Sequence, residues 1–432
     1  MVTWTPMIWS IIWAFGSVLG AEITRDLYHL IAHLNPVLMR WHGWHHRVYR
    51  RDLTVIDPMV YRQAQWRHDV PESLVMLTVT ALVWWSSSFW APNGQAALLL
   101  GVLYSVAFLV SGMARGVGWA LETDLTHKSG PFLKPPSCWV VNRPYHWRHH
   151  FDDGNAYFCG TFTFVDKLMG TGLTLKGKTI AVTGASGTLG KALLQQLRQE
   201  GARVLALSSQ AQPITIQVNG AEQSVETITW QVGQEEALAT RLEKVDILIL
   251  NHGINVLGER SATAIQKSYE VNTFSTWRLL ELFLKTVRTS TDVALKEVWI
   301  NTSEAEVSPA LSPLYELSKR AIGDLVTLRR LDSPCVIRKL ILGPFKSNLN
   351  PYGVMSGGWV ARQIVALAKR DVRNIIVTVN PLTYLLFPWK EFWVSTYFRW
   401  FSRPTSDLEA EQATSLDSTN DSSKVDTAIG LK

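Results

Sequence analysis

The chain has 432 residues, of which 47% are hydrophobic, so it is long enough for two or three folded units. Its net charge of +6 comes without a basic run in a nucleic-acid-binding motif, and we therefore expect no nucleic-acid partner. The only cysteines are Cys138, Cys159 and Cys335. Their unpaired spacing argues against a disulfide scaffold and a cysteine-based zinc site, and it is typical of a reducing compartment.

Three apolar stretches predict membrane helices. They run over Trp4–Ile23, Leu74–Ala91 and Ala96–Ala114, and each approaches the roughly 20 residues that cross a hydrocarbon core. Pro92-Asn93-Gly94 is a turn signal, so the second and third stretches should form a hairpin. Most of the 19 tryptophans lie in the first 150 residues, which also favours a membrane interface. The alternative is a soluble protein with three buried helices.

The distribution of arginines predicts the topology. The loop between the second and third stretches carries no charge, whereas the segment between the first and second is rich in arginine. Its arginines are Arg25, Arg40, Arg47, Arg50, Arg51, Arg62 and Arg67. The positive-inside rule places this segment in the cytoplasm. A three-pass, integral membrane chain then has everything after Ala114 on the same side.

Ten of the eleven histidines lie in the first 150 residues. His29 and His33 are spaced i, i+4, and the pattern H-x-x-H-H occurs twice, beginning at His42 and at His146. These spacings bring several imidazoles onto one helical face, and neutral imidazole is a good ligand for iron or zinc. His127 stands alone between the clusters, and His68, followed by an aspartate, is a weaker candidate. The pattern predicts a metal site.

The histidine segments resemble the fatty acid hydroxylase/sterol desaturase superfamily over residues 5–172. The resemblance is carried by DLYHLIAH, HGWHH, THKSG and YHWRHH, followed by GNAYFCGTFTFVDKLMGT. It implies a membrane-bound di-iron enzyme that hydroxylates or desaturates a lipid with O2 and outside electrons. The implied metal ligands are His29, His33, His42, His45, His46, His127, His146, His149 and His150. Zinc lacks the redox chemistry for this reaction, but the residues alone leave zinc occupancy open.

From about Lys176 the pattern changes to short apolar strands that alternate with helical segments. KTIAVTGASGTLG, ARVLALSS, VDILILNHG and KEVWINTS read as successive strands of a parallel sheet, with helical patterns such as Lys191–Glu200 between them. The predicted fold class is therefore multi-domain: an α-helical membrane domain with a histidine-rich di-metal site, and an α/β Rossmann domain with a doubly wound sheet.

A glycine-rich turn follows the first of these strands and opens a helix, which predicts a dinucleotide pyrophosphate at the helix N-terminus. With Tyr315-x-x-x-Lys319 further on, the region resembles the short-chain dehydrogenase/reductase family over residues 176–375. The implied cofactor-binding residues are Gly184, Ser186, Gly187, Leu189, Gly190, Asn251, Gly253 and Lys319. In that family the tyrosine transfers the proton, the lysine lowers its pKa and holds the nicotinamide ribose, Ser303 orients the carbonyl, and Asn272 supports a proton relay.

The region also departs from the family pattern. Thr188 stands where glycine is commoner, and the family's Asn-Asn-Ala-Gly motif reads Leu250-Asn251-His252-Gly253. After the second strand, Ser208 and Ser209 stand where an acid would hold the ribose 2′-hydroxyl of NAD. The absence of that acid favours NADP over NAD.

Together the two halves resemble bacterial fusions described as bifunctional sterol desaturase/short-chain dehydrogenase. We expect two iron ions to hydroxylate or desaturate a lipid, and the second half to interconvert alcohol and carbonyl with NADP or NAD. Nicotinamide transfers hydride, so iron would need a separate ferredoxin or cytochrome b5-like donor. One alternative is a membrane-anchored NADP-dependent reductase with a non-catalytic histidine region. Another is a scaffold protein that binds lipid and NADP.

The predicted boundaries divide the chain into four parts. Residues 1–175 form the membrane domain, and residues 176–380 form the Rossmann domain. The aromatic segment 381–403 is too charged to span a membrane and is predicted to lie at its interface. Residues 404–432 are polar and acidic, which is typical of a disordered tail.

Overall fold

The computed structural model describes residues 5–119 and 123–403. Trp4, at the start of the first predicted span, and the tail from residue 404 lie outside the described residues. Helices of the N-terminal half are α1 (Thr5–Leu34), α2 (Pro36–His42), α3 (Pro58–Ala64), α4 (Val70–Trp90), α5 (Gln95–Val117), α6 (Arg143–Phe151) and α7 (Phe164–Met169).

Among the described residues, three helical segments are long and apolar enough to cross a membrane: Met7–Leu34, Pro58–Trp90 and Pro92–Val117. Helices α1 and α5 approach closely, because Gly101 donates its backbone N–H to the Ser17 hydroxyl over 3.0 Å. A Cβ on Gly101 would lie 2.8 Å from the Ser17 carbonyl oxygen. Small residues at such a crossing let two apolar helices pack backbone to backbone.

The first and second spans extend beyond their predicted bounds on the side of the histidines. Helix α1 continues past Ile23 to Leu34, where Asn35 caps α2 by accepting the Val37 N–H over 2.9 Å. A π-helical turn at Gln65–Asp69 joins α3 to α4, making one long helix. Wide turns of this kind often mark functional sites, and this one carries His68.

The C-terminal half is a Rossmann-like domain with helices on an eight-stranded sheet. Its strands are β1 (Thr179–Thr183), β2 (Arg203–Ser208), β3 (Ile214–Val218), β4 (Ala221–Thr229), β5 (Ile247–Leu250), β6 (Glu297–Asn301), β7 (Val336–Leu342) and β8 (Asn374–Val377). Its helices are α8 (Thr188–Gln199), α9 (Ala239–Leu242), α10 (Ala262–Tyr269), α11 (Ser275–Leu284), α12 (Ser290–Leu295), α13 (Pro313–Arg329), α14 (Gly357–Lys369) and α15 (Pro381–Phe401).

The strand order is β3-β4-β2-β1-β5-β6-β7-β8, and all neighbours pair in parallel except β3 with β4. All four predicted strands occur, and the helix expected at Lys191–Glu200 begins earlier, at Thr188. The antiparallel β3–β4 hairpin at the sheet edge is an addition to the predicted pattern. Apolar side chains on both faces form the core, and Trp299 of β6, which lies between β5 and β7, is fully buried.

A buried ion network joins the two halves. The Arg148 guanidinium, on α6, donates to the Ala294 carbonyl over 2.5 Å and to Glu297 over 3.1 Å. Glu297 also accepts from Arg338, which in turn pairs with Asp371 at 2.8 Å. The side chains of Glu297, Arg338 and Asp371 are all 0% exposed. The helix that carries the second histidine cluster is therefore anchored in the core of the dehydrogenase domain.

Candidate metal centre and dinucleotide site

The histidines of distant segments meet in one pocket, where their ring nitrogens form two groups. Each group could hold one metal ion, since its ligand atoms all lie within 4.8 Å of one another. The first group consists of His29, His33, His42, His46 and His149. The second consists of His45, His127, His146 and His150. All nine histidines predicted as ligands are thus brought together in the structure.

Within the first group, the Nε2 atoms point at one another. His42 Nε2 lies 2.8 Å from His33 Nε2 and 2.8 Å from His46 Nε2, while His29 and His149 approach to 3.0 Å. Metal–imidazole bonds of about 2.0–2.1 Å that meet at right angles put neighbouring nitrogens about 3 Å apart. The spacing therefore has the dimensions of a coordination shell.

The second group has the same dimensions and lies directly beside the first. His127 Nε2 is 3.0 Å from the Nε2 atoms of both His146 and His150, which are themselves 3.2 Å apart. The rings of His46 and His150, one from each group, have centroids 4.9 Å apart. Two adjacent ions are the arrangement that this donor set fits.

Outer partners fix the orientation of two of the rings. His127 Nδ1 contacts Asp124 at 2.6 Å, and Tyr49 stacks on the His127 ring and donates its hydroxyl to the same carboxylate over 3.0 Å. His149 Nδ1 contacts the Ala156 carbonyl oxygen at 2.7 Å. Such contacts to the far ring nitrogen are what orient metal-ligating histidines, leaving Nε2 free for the ion.

Burial keeps these imidazoles neutral. The pKa values of His146 and His150 lie well below the usual range, because burial disfavours the cation and neighbouring histidines would repel it. The same causes lower the pKa of His46 to about 3. Neutral imidazole is the form that binds metal, so the pocket suits a metal centre made of nitrogen donors.

His68 is the functional candidate that the family pattern leaves out. It is buried in the π-helical turn, and its Nδ1 lies 3.1 Å from His42 Nδ1. It also forms a third possible ligand group with His45 and Asp69. The signal in the sequence was the His-Asp pair between two apolar stretches, but a single histidine without a cluster spacing is weak evidence.

The glycine-rich turn has the shape expected of a pyrophosphate cradle. Gly184 has φ +60°, and a Cβ there would lie 2.9 Å from His252 Cα. A Cβ on Gly190 would collide with the Gly184 carbonyl oxygen. Gly187 is exposed at the N-cap of α8, and its backbone N–H donates to the Gly184 carbonyl oxygen over 3.1 Å. The turn leaves room for a phosphate at a helix N-terminus, where the dipole favours negative charge.

Three of the other predicted nucleotide contacts lie at or near this turn, whereas Gly253 lies close to Asn272 and Lys319. Ser186 is half-buried, Leu189 is buried beneath the turn, and Asn251 accepts the Asn301 side-chain N–H over 3.0 Å. A further open cavity lies beside the start of α8. It is lined by Thr188, Lys346, Ser347, Asn348, Pro351, Ser356 and Gly357.

The predicted catalytic residues lie together on one side of the sheet. Tyr315 and Lys319 share one face of α13, with Lys319 Nζ 5.9 Å from the Tyr315 ring centre, and the Tyr315 side chain hydrogen-bonds to Ser303. Lys319 donates to the Asn301 carbonyl over 2.8 Å. Asn272 sits in a π-helical turn, where its amide accepts the Ile254 N–H over 2.8 Å.

The pKa values of this pair reflect its burial. Burial raises the pKa of Tyr315, and the hydrogen bond to Ser303 opposes that shift. Burial also lowers the pKa of Lys319 to about 8, against a smaller opposing effect of the Glu306 charge. Burial and the Ser303 hydrogen bond, and not the charge of Lys319, determine the shift of the Tyr315 pKa in this structure.

Residues 178–333 match the family model described as short chain dehydrogenase. Solved structures found to be similar include the aldohexose dehydrogenase of Thermoplasma acidophilum, 18% identical, covering 47% of this chain and 93% of that chain, with a TM-score of 0.38. Another is a short chain dehydrogenase from Burkholderia cenocepacia in complex with NADP, 19% identical, covering 50% of this chain and 93% of that chain, with a TM-score of 0.41.

A relative in Synechocystis sp. matches nearly the whole chain. It is named monoglucosyldiacylglycerol epimerase, and it is 58% identical over 402 residues, which make up 90% of this chain and 97% of the relative. The match therefore includes the histidine-rich helical half as well as the dehydrogenase half. The chain is an enzyme of the oxidoreductase or epimerase class, and it belongs to the family of that epimerase, with a short-chain dehydrogenase domain following a histidine-rich helical region.

Proposed function

We propose that the dehydrogenase domain inverts one secondary-alcohol carbon in the sugar headgroup of a monoglucosyl glycerolipid, with NADP as its cofactor. The observation that carries this proposal is the 58% identity to the Synechocystis epimerase across both halves of the chain. The grouping of Ser303, Tyr315 and Lys319 beside the glycine-rich turn supports it. The lack of an acid after β2, where Ser208 and Ser209 stand, favours NADP.

Inversion at an alcohol carbon can proceed through a ketone. A bound nicotinamide supplies the acceptor for the carbon's hydride and, when reduced, the donor that returns it. Tyr315 removes the hydroxyl proton as the carbonyl forms and gives it back when hydride returns to the opposite face. Ser303 donates a hydrogen bond to the substrate oxygen, and the Lys319 charge favours the ionised tyrosine. Hydride and proton are both restored, so the reaction is redox-neutral.

The test uses the full chain in detergent with monoglucosyldiacylglycerol and NADP. We expect the headgroup to be converted to an epimer, which sugar analysis of the released headgroup detects. Tyr315→Phe should lower the rate by about 100-fold or more, because it removes the acid–base group. Tyr269→Phe, a matched change at the end of α10, should retain activity. A wild-type protein that leaves the headgroup unchanged would contradict the proposal.

We propose a second function for the histidine centre: O2-dependent hydroxylation or desaturation of a lipid by two iron ions. It is favoured by the nine histidines of the two groups, whose nitrogens have the spacing of two adjacent coordination shells. Redox-active ions in this site would supply dioxygen activation, which breaks an unactivated C–H bond. The nine histidines would hold the ions, and the burial of these side chains would keep the imidazoles neutral. A ferredoxin or cytochrome b5-like donor would deliver the electrons.

Metal analysis of the purified full chain tests this second function. We expect about two iron ions per chain, and oxygen consumption that depends on lipid and on added reduced ferredoxin. A protein that holds only zinc, or that consumes no oxygen with any membrane lipid extract, would contradict it. The domain boundaries at residues 175 and 380 and the cytoplasmic location of both sites belong to the same proposal, and cysteine accessibility in sealed vesicles checks that location.

A further inference from the structure

Helix α15 has two chemically different faces. Its polar side chains Lys390 and Glu391 both turn towards the dehydrogenase domain. Lys390 Nζ contacts Glu306 and Asp324 at 2.8 Å each. Glu391 contacts Lys339 at 2.8 Å and Arg330 at 3.1 Å, while Phe387 is fully buried beneath the helix. These contacts hold the helix on the domain in one orientation.

The opposite face of α15 is aromatic and exposed. At helical spacing it presents Leu385, Trp389, Trp393 and Trp400, whose exposed fractions are 70%, 65%, 51% and 73%. Around them lie further exposed apolar side chains. These are Leu382, Tyr384, Leu386, Phe392, Tyr397 and Phe401. A continuous apolar surface of this kind on a folded domain marks an interaction site.

The composition of this face indicates what covers it. Tryptophan and tyrosine combine a large apolar ring with a polar group, which suits the headgroup level of a bilayer better than a dry protein core. Arg399, which is exposed, lies beside Trp400 and suits contact with anionic lipid. The same chain also carries three helices long enough to span a membrane, so a bilayer is within its reach.

We propose that α15 docks the dehydrogenase domain onto the bilayer surface, with its aromatic face among the lipid headgroups. In this orientation Lys390 and Glu391 pair with charged residues of the dehydrogenase domain and do not face the hydrocarbon core of the bilayer. The helix contacts the loop after Ser303, because Thr383 donates to Glu304 over 3.2 Å and Lys390 holds Glu306. Docking would therefore fix the catalytic loop at a set depth relative to the headgroups. This proposal does not depend on which lipid reacts.

A depth measurement on the full chain tests it. We would place an environment-sensitive fluorophore at Trp389→Cys in a Cys138→Ser background, since Cys159 and Cys335 are buried. The protein would be reconstituted in phosphatidylcholine/phosphatidylglycerol vesicles. We expect lipids with a doxyl group near the headgroup to quench this probe at least about twofold more than a probe at Gln217→Cys. Gln217 is exposed on the β3–β4 hairpin and serves as the control.

Two outcomes would overturn the proposal. In one, aqueous iodide quenches the probes at residues 389 and 217 equally, which would mean that the aromatic face lies in water. In the other, the probe resists both quenchers but shows energy transfer between differently labelled copies, which would assign the face to a second copy of the chain. Trp393→Cys, one turn further on, repeats the measurement if Trp389→Cys fails to fold. The readout uses no substrate, so it is independent of the proposed reaction.

Discussion

Each histidine of the two groups offers one nitrogen to a shared metal centre, so replacing a single histidine tests the metal hypothesis. His149 has a ring nitrogen in the first group and no exposed surface. We expect His149→Ala to lower the metal content of the purified chain from about two ions to about one, since removing one ligand weakens a site strongly. Mass spectrometry of metals measures this. His252→Ala is the control, because His252 lies in the dehydrogenase domain; an equal loss in both variants would contradict the prediction.

Lys319 should make nucleotide binding depend on pH. Its pKa is lowered by burial to about 8, so its positive charge is present below that pH and is lost above it. We expect NADP affinity to fall several-fold as pH rises through about 8, because the neutral amine no longer attracts the anionic nucleotide. Calorimetric titration measures the affinity. Lys319→Arg stays charged, and an inflection near pH 8 in that variant would contradict the assignment.

The glycine turn makes a steric prediction. Gly190 has no room for a methyl group, because its Cβ would collide with the Gly184 carbonyl oxygen. Gly190→Ala should therefore distort the start of α8 and weaken NADP binding by about tenfold or more, which fluorescence titration of NADPH measures. Gly220→Ala is the comparison, since nothing surrounds a Cβ there, although its φ of +81° adds strain away from the site. Unchanged NADPH binding by Gly190→Ala would be inconsistent with the cradle.

At the scale of elements, α6 links the two sites. Its histidines face the metal pocket, while Arg148 on the same helix pairs with Glu297 of β6. Arg148→Met should lower the free energy of unfolding by about 3 kcal/mol, because it leaves a buried carboxylate with one partner fewer. The melting temperature, measured by thermal denaturation, and the metal content should both fall. Lys134→Met, an exposed change in the same half, is the control, and a normal melting temperature in Arg148→Met would contradict this prediction.

The same network makes the stability of the folded protein depend on pH. Burial alone would raise the pKa of Glu297, but the charges of Arg338 and Arg148 outweigh it and lower the pKa to about 2 from the ordinary 4.5. A carboxyl whose pKa is depressed on folding stabilises the protein above its unfolded pKa. That contribution is lost as pH falls through 4.5 towards about 2.

Elements with periodic patterns were predictable, and those set by tertiary contacts were not. Strands β1, β2, β5 and β6 occur where their apolar runs predict them. The continuation of α1 to Leu34 follows from packing and from the Asn35 cap, which hydropathy does not register. The β3–β4 hairpin is an exception, because β3 has the alternating burial of a half-buried strand but lacks the continuous apolar run by which the other strands were predicted.

The sites divide in the same way. The histidine spacings and the Tyr-x-x-x-Lys pair were visible because each residue type recurs at a fixed interval. His68 is only a weak candidate in the sequence, because its position depends on a π-helical turn that brings its Nδ1 next to His42. The network of Arg148, Glu297 and Arg338 could not be read from the sequence, because its members are up to 190 positions apart and have no shared motif.

For the whole molecule, the two proposed reactions differ in their need for oxygen. Epimerisation restores both hydride and proton, so it should proceed at an undiminished rate under argon, whereas hydroxylation or desaturation should stop. A substrate with deuterium at the reacting sugar carbon should keep the label in the epimer, because the hydride is returned before it can exchange with water. Mass spectrometry of the product checks this. An oxygen requirement for epimerisation would contradict the proposed separation of the two chemistries.

The side chain of Arg148 extends from α6 to β6 of the dehydrogenase sheet. This contact affects how the protein can be studied and how it can evolve. Cutting the chain between the halves would leave the Arg148 guanidinium without its partner on one fragment and expose the Glu297 carboxylate on the other. Each fragment would then expose an unpaired charge at a surface that is buried in the whole chain. We therefore expect gene truncations to yield insoluble pieces, and natural fission of this fusion to demand compensating changes on both sides of the cut.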